Sequence, residues 1–135
     1  MSTDSTAPQR ISIVIVDDDA SIRVSLQRLC DVYGMSATAF ASGREFLASL
    51  EHQGSRPDCL LLDAHMPGMT GSELHRALRA RGMHIPTIVF TADDAPELSA
   101  HYATAGIVAC LRKPLGAEDL LAAIDQAVGS RNSTA

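Results

Sequence analysis

The stretch Cys59-Leu60-Leu61-Leu62-Asp63-Ala64-His65-Met66-Pro67-Gly68 decides the fold of this chain. Its apolar residues form an unbroken run without alternation, which indicates a strand buried on both faces of a parallel sheet. The run ends at Asp63, and the Met-Pro-Gly sequence that follows predicts a turn. In open α/β sheets, ligands bind at the carboxyl ends of the strands. Asp63 is therefore expected at the edge that carries the chemistry, as a helix cap, a metal ligand or a nucleophile.

Length and composition indicate one globular domain, because the chain has 135 residues of which 46% are hydrophobic and 20% are charged. No apolar run approaches the roughly 20 residues of a membrane span, and residues 1–10 lack the apolar region of a signal peptide. The net charge of −5 disfavours nucleic-acid binding, which would need a basic surface. We expect a cytoplasmic domain at residues 11–129, with flexible tails at 1–10 and 130–135 and no membrane partner.

The cysteines and the single lysine give two further indications. Cys30, Cys59 and Cys110 stand in apolar surroundings without paired spacing, which is typical of reduced core thiols in a cytosolic protein. The histidines show no ligand spacing, so a zinc site is not expected. Arginine supplies all the other basic residues, and the one lysine, Lys113, suggests a position that needs a compact ammonium.

Five strand–helix units alternate along the chain. Strands are predicted at residues 11–16, 35–40, 59–63, 87–91 and 107–111. Capping-box spacings at residues 42–45 and 70–73 open the second and third helices, Asp19 is expected to cap the first, and the last helix should end near Gly129. The apolar face of the first helix should comprise Ile22, Leu26, Leu29 and Tyr33. Strict alternation predicts an α/β fold with a five-stranded parallel sheet in the flavodoxin-like order 2-1-3-4-5 and helices on both faces.

Chemically distinctive side chains fall at the carboxyl ends of four predicted strands. They are Asp17 and Asp18 after the first strand, Asp63 at the third, Thr91 at the fourth and Lys113 after the fifth. Taken singly, each has a structural explanation as a cap, a strand residue or a loop residue. Together they should share one pocket, where close carboxylates repel each other and oxygen ligands favour Mg²⁺ or Mn²⁺. An ionised aspartate beside such a cation and a lysine is arranged to form an aspartyl phosphate.

This ordered set resembles the receiver domain of response regulators in two-component signalling. The matching segments are Val16-Asp17-Asp18-Asp19, residues 63–71, Thr91-Ala92 and Lys113-Pro114, and the resemblance covers residues 11–128. Stretches such as Phe46-Leu47 and residues 111–114 look most similar to receivers of the FixJ type, which usually precede a DNA-binding helix-turn-helix. No such segment follows here, so we expect a stand-alone receiver or one cut from a longer chain.

The resemblance implies that Asp63 accepts phosphate from a sensor histidine kinase or a phosphotransfer protein. It implies that Asp18 and Asp63 bind Mg²⁺ (or Mn²⁺) directly, that Asp17 acts through water, and that the backbone carbonyl of His65 completes the set. Such a domain is not a conventional enzyme, although it would catalyse its own phosphorylation and dephosphorylation.

The resemblance also implies how the phosphoryl group is held and how the signal leaves. Thr91 and Lys113 would bind phosphoryl oxygens, and the bond between Lys113 and Pro114 would be cis. The output face would combine the fourth predicted helix, the fifth strand and the last helix, and it would contact a downstream protein or form a phosphorylation-dependent homodimer.

Three positions depart from the family pattern or vary within it. Cys110 stands where receivers usually have the tyrosine or phenylalanine that swings on activation, and a cysteine has no ring to swing. We therefore expect Cys110 to pack passively and the signal to leave through the loop and helix that follow Thr91. His65 and Asp93 flank the phosphate and are expected to set its lifetime.

Two alternatives use the same residues differently. A haloacid-dehalogenase-type phosphatase also combines an aspartate nucleophile with Mg²⁺ and lysine, but it would need a second aspartate as general acid where this chain has His65. A non-phosphorylated pseudo-receiver, which serves only as a docking module, would be expected to have lost the acidic pair or Lys113, and this chain keeps both.

Overall fold

The apolar runs of the sequence form one parallel sheet in the computed structural model, which describes residues 10–53, 56–91 and 107–132. The sheet has the order β2-β1-β3-β4-β5 and comprises β1 Ser12–Val16, β2 Ser36–Phe40, β3 Cys59–Asp63, β4 Thr87–Thr91 and β5 Ala109–Arg112. The helices of the described residues are α1 Ala20–Val32, α2 Gly43–Gln53, α3 Gly71–Ala80 and α4 Ala117–Asn132. The predicted fold class and strand order are confirmed. The helix expected between β4 and β5, with Asp93, lies outside the described residues.

Strand β3 lies at the centre of the sheet, and all five of its residues are buried. Its side chains alternate between two cores. Leu61 packs on one face with residues of α1 and α4, among them Leu26 and Ile124. Leu60 and Leu62 pack on the other face with residues of α2 and α3. Helices on both faces explain why this strand reads as a continuous apolar run.

Local capping fixes where three helices begin. The carboxylate of Asp19 accepts hydrogen bonds from the backbone N–H groups of Ser21 (2.9 Å) and Ile22 (3.4 Å). At α3, Thr70 and Glu73 exchange side-chain-to-backbone bonds of 3.2 and 2.8 Å, which is a complete capping box. At α2, Ser42 Oγ accepts the expected bond from Glu45 N (3.2 Å), but Glu45 reaches back to Ala41 N (3.4 Å). In the box predicted at residues 42–45, the return bond from the glutamate is therefore shifted by one residue, from residue 42 to Ala41.

Tyr33 was expected on the buried face of α1, and this prediction is wrong because its relative exposure is 56%. Tyr33 is the C-cap residue and has left the helical conformation, so the helical spacing no longer directs its side chain. Cys30 is fully buried in its place. Gly34 then takes a positive φ of 78°, which ends the helix as predicted.

Two further element ends differ from the predicted bounds by more than one residue. Strand β5 begins at Ala109 rather than at residue 107, because its ladder with β4 starts where Ala109 pairs with Ile88. Helix α4 continues beyond Gly129 to Asn132. A glycine weakens a helix by about 1 kcal/mol relative to alanine but keeps its backbone N–H, so it does not by itself end the helix.

Candidate functional site

The carboxyl ends of the strands bring three carboxylates and one ammonium together. One carboxylate oxygen from each of Asp17, Asp18 and Asp63 lies within 4.8 Å of the others. Lys113 Nζ lies 3.3 Å from Asp17 Oδ2 and 3.6 Å from Asp63 Oδ1. The strand order explains the cluster, because β1 and β3 are hydrogen-bonded neighbours and β4 and β5 follow on the same side of β3.

Asp63 is the last residue of β3 and is only 4% exposed. Its Oδ1 accepts a hydrogen bond from the backbone N–H of His65 at 3.2 Å, and Ala64 N donates to Phe90 O at 2.9 Å. Burial raises the pKa of the Asp63 carboxyl, and the charge of Asp17 raises it further, against the lowering effects of the His65 N–H and Lys113. An additional cation beside Asp63 would therefore favour its ionised, nucleophilic form.

Asp17 is fully buried at the end of β1, whereas Asp18 is exposed. Asp17 Oδ1 accepts a hydrogen bond from Asp19 N at 2.8 Å. Asp17 Oδ2 accepts no hydrogen bond from the described residues, although Lys113 Nζ is 3.3 Å away. A buried carboxylate oxygen that makes no hydrogen bond and faces only an ammonium among the described residues, in a set made only of oxygens, is compatible with a hard divalent cation such as Mg²⁺ or Mn²⁺.

Lys113 and Thr91 lie on adjacent strand ends. Thr91 is 5% exposed at the end of β4, and its carbonyl accepts a hydrogen bond from Lys113 N at 2.8 Å. Lys113 Nζ also stands over the ring of Phe90, 5.4 Å from the centroid, where a cation–π attraction operates. The peptide bond between Lys113 and Pro114 is cis. The ammonium of the single lysine lies within 3.6 Å of two of the three clustered carboxylates.

The cysteines and His65 complete the comparison with expectation. Cys30 and Cys59 are fully buried, and burial raises the pKa of Cys59 to about 12, so that this thiol stays protonated. Cys110 packs against Val89 and Ala64, as a core thiol is expected to do, but it is only half-buried and so less buried than the other two cysteines. The side chain of His65 is exposed beside the cluster.

The sequence matches the response regulator receiver domain family over residues 13–125. The chain belongs to this family. A receiver domain acts as a phosphoacceptor in two-component signalling, where phosphorylation falls on an aspartate, and domains of this family are usually not conventional enzymes. The predicted family and function are confirmed, and neither the phosphatase nor the pseudo-receiver alternative is favoured.

Individual relatives agree with this assignment. The chain is 37% identical over 114 residues to the DNA-binding transcriptional regulator NtrC of Klebsiella pneumoniae, covering 84% of this chain and 24% of NtrC. It is 38% identical over 112 residues to the response regulator MprA of Mycolicibacterium vanbaalenii, covering 83% of this chain and 48% of MprA. The crystal structure of FixJ-N superposes with a TM-score of 0.81 at 30% identity, covering 90% of this chain and 96% of FixJ-N. The chain thus spans about a quarter of the length of NtrC and about half the length of MprA.

Two residues of the receiver site are not foreseen by the sequence patterns. Phe90 falls within an apolar strand run, and nothing in that run indicates its contact with Lys113. Arg23 lies in α1, and its Nη1 donates a hydrogen bond of 2.8 Å to the carbonyl of Asp17. Its place six residues after Asp17, at the start of a helix, is the one signal that could have suggested this contact.

None of the helices in the described part of the chain is long and apolar enough to cross a membrane.

Proposed function

We propose that this receiver accepts a phosphoryl group on Asp63 from a sensor histidine kinase or a phosphotransfer protein. The observation that carries the proposal is the buried Asp63 carboxylate 3.6 Å from Lys113 Nζ, in one cluster with the carboxylates of Asp17 and Asp18. In the reaction, an Asp63 oxygen attacks phosphorus while the bond from phosphorus to the donor breaks, and the leaving group departs with the electron pair of that bond.

The residues around Asp63 would each have a separate role in the transfer of the phosphoryl group. Lys113 binds a phosphoryl oxygen with its ammonium, and the Thr91 hydroxyl donates a hydrogen bond to another. Both groups lie on neighbouring strand ends, at the same edge of the sheet as Asp63. With these groups the domain would catalyse its own phosphorylation and dephosphorylation. His65, exposed beside the site, and Asp93 would set the lifetime of the phosphate.

The donor set fits Mg²⁺ (or Mn²⁺). Asp18, Asp63 and the backbone carbonyl of His65 would hold the ion, with Asp17 acting through water. The buried Oδ2 of Asp17 supports this assignment, since it otherwise faces only the Lys113 ammonium among the described residues. When bound, the cation neutralises charge on the phosphoryl oxygens.

Partners and location follow from the same function. A groove of about 400 Å³ opens beside Lys113, between α1 and the loop that leads to α4, and it offers a surface to a protein phosphodonor. The output would pass through the face that combines the predicted fourth helix, β5 and α4, to a downstream protein or to a second, phosphorylated copy. The free buried thiols Cys30 and Cys59 support a reducing, cytoplasmic location.

Acetyl phosphate with Mg²⁺ tests the proposal by intact mass spectrometry. The wild-type protein should gain one phosphoryl group, Asp63→Asn should gain none, and EDTA should suppress the gain. Asp125→Asn is the matched control, because Asp125 is exposed on α4 and should leave the gain unchanged. Equal labelling in EDTA, or labelling that persists in Asp63→Asn, would contradict the proposal.

A further inference from the structure

The backbone and side chain of Asp17 are held at three of their four polar atoms. Asp17 N donates to Phe40 O at 3.1 Å, which ties the residue to β2. Asp17 Oδ1 accepts from Asp19 N at 2.8 Å. The carbonyl of Asp17 accepts from Arg23 Nη1 at 2.8 Å. Only Oδ2 is left to face Lys113, at 3.3 Å.

The bond from Arg23 takes the place of a sheet hydrogen bond. Strand β1 ends at Val16 and α1 begins at Ala20, so the carbonyl of Asp17 lies between two regular elements. Arg23 is half-buried in the first turns of α1 and reaches back over six residues to this carbonyl. Its own backbone N–H donates to Asp19 O at 3.1 Å, which is the first intrahelical bond of α1, so the side-chain bond to the Asp17 carbonyl is the contact that depends on arginine. A buried carbonyl without such a donor would be costly.

The carbonyl that Arg23 holds belongs to the peptide unit that joins Asp17 to Asp18. This unit is planar, so holding its C=O, together with the bond from Asp17 N to Phe40 O, restricts the orientation of the plane between the two residues. The bond from Arg23 therefore helps to constrain the starting direction of both carboxylates of the acidic pair.

We propose that Arg23 is a positioning residue of the receiver site, which aims the Asp17 and Asp18 carboxylates at Asp63 by holding the Asp17 carbonyl. The inference rests on the proposed function, since it concerns the residues that would hold the divalent cation. Outer contacts that orient metal ligands change metal affinity by 10- to 100-fold when they are lost. Arg23 would act in this way through the main chain.

A charge effect and a positioning effect of Arg23 have opposite signs. The guanidinium is always protonated, so it repels a divalent cation at the acidic cluster. If Arg23 acted through its charge alone, Arg23→Met would tighten Mg²⁺ binding. If Arg23 holds the loop of residues 17–19 in place, the same substitution loosens this loop and weakens Mg²⁺ binding. The sign of the change in the Mg²⁺ dissociation constant separates the two.

Titration calorimetry of Mg²⁺ into the folded, unphosphorylated protein provides the test. We expect Arg23→Met to raise the dissociation constant at least ten-fold, and Arg23→Lys, which keeps a charge and a donor, to recover most of the loss. Arg28→Met is the matched control, because Arg28 is exposed on the same helix and about 7.5 Å further along its axis. It should leave the dissociation constant unchanged. In EDTA, amide exchange at Asp19 N should be faster in Arg23→Met than in wild type.

An unchanged or lower dissociation constant in Arg23→Met would overturn the inference, even if the variant is less stable to urea, because the contact would then serve the fold alone. That result leaves the proposed function intact, provided that wild type binds Mg²⁺ and Asp18→Asn does not. Failure of the wild-type protein to bind Mg²⁺ would overturn the proposed function and this inference together.

Discussion

The receiver site should destabilise the metal-free fold, and Asp63→Asn should therefore stabilise it. Asp63 is buried among carboxylates, and one oxygen of each lies within 4.8 Å of the others. At 4.8 Å the charges of Asp63 and Asp17 repel by about 3.5 kcal/mol at an effective dielectric constant of about 20. On the same scale, the attraction between Asp63 and Lys113 at 3.6 Å contributes about 4.6 kcal/mol. Desolvation of Asp63 and a screened share of repulsion from the exposed Asp18 add to the unfavourable side. Desolvation of a buried ion costs several kcal/mol. It therefore exceeds the surplus of about 1.1 kcal/mol by which the Lys113 attraction outweighs the repulsion, and the net cost of the Asp63 charge is on the order of 1–2 kcal/mol.

Urea unfolding in EDTA at pH 7 measures this difference. Far-UV circular dichroism is the suitable signal, because the chain has no tryptophan. We expect Asp63→Asn to raise the free energy of unfolding by about 1–2 kcal/mol, and the surface control Asp125→Asn to change it by less than about 0.5 kcal/mol. Mg²⁺ at about 100 times its dissociation constant should stabilise wild type by about 2.7 kcal/mol and the variant by less, which narrows or reverses the difference.

The pH dependence of stability should also reflect the unfavourable charge of Asp63. Burial raises the pKa of the Asp63 carboxyl, so the folded protein holds this proton more tightly than the unfolded chain does. The stability that this proton contributes is complete below the unfolded pKa, near 3.9, and is lost as pH rises through the raised value. The difference in free energy of unfolding between Asp63→Asn and wild type should therefore be small below the unfolded pKa and should grow as the pH rises through the raised value. A variant that is less stable than wild type in EDTA at pH 7 would show that the Lys113 ion pair outweighs repulsion and desolvation, and would refute the reasoning.

Three further predictions concern the loops and helices around the site. Burial lowers the pKa of His75, so the stability of wild type should fall as pH drops through 6.5, and the urea midpoint of His75→Gln should depend less on pH between 7 and 5. Gly43→Ala should lower the free energy of unfolding by about 1 kcal/mol, since its new Cβ would stand 2.9 Å from Met69 Sδ, whereas Gly129→Ala meets no neighbour and should be neutral or stabilising. The rate of phosphate loss should differ between wild type and His65→Ala, because the exposed His65 side chain lies two residues beyond Asp63. Identical rates would remove His65 from the reaction.

Most of the fold is predictable from the sequence because its determinants are local. The unbroken apolar run of β3 reports burial on both faces, and that strand is buried at every residue. The hydroxyl of Thr70 and the carboxylate of Asp19 start helices by hydrogen bonds to residues two or three positions away. Alternation of strands and helices then leaves few topologies for a parallel sheet, and the flavodoxin-like order is the one found.

The sequence also indicates which residues gather at the site, because the carboxyl ends of parallel strands share one edge. It does not determine how those residues divide their roles. Asp17 and Asp18 are adjacent and chemically identical, yet Asp17 is buried and Asp18 is exposed, and the carboxylate of Asp17 lies 3.3 Å from the Lys113 ammonium. The direction of each side chain where a strand ends depends on the residues packed around it, which periodicity does not specify.

The contacts of long side chains are decided by the tertiary structure alone. Arg23 reaches the Asp17 carbonyl because α1 packs back over the end of β1, and Phe90 meets Lys113 because β4 and β5 are neighbours in a particular register. Tyr33 faces solvent because the helix ends one residue before it. Periodicity states which face of an element a residue occupies. Only the packed structure determines which partner that residue contacts and at what distance.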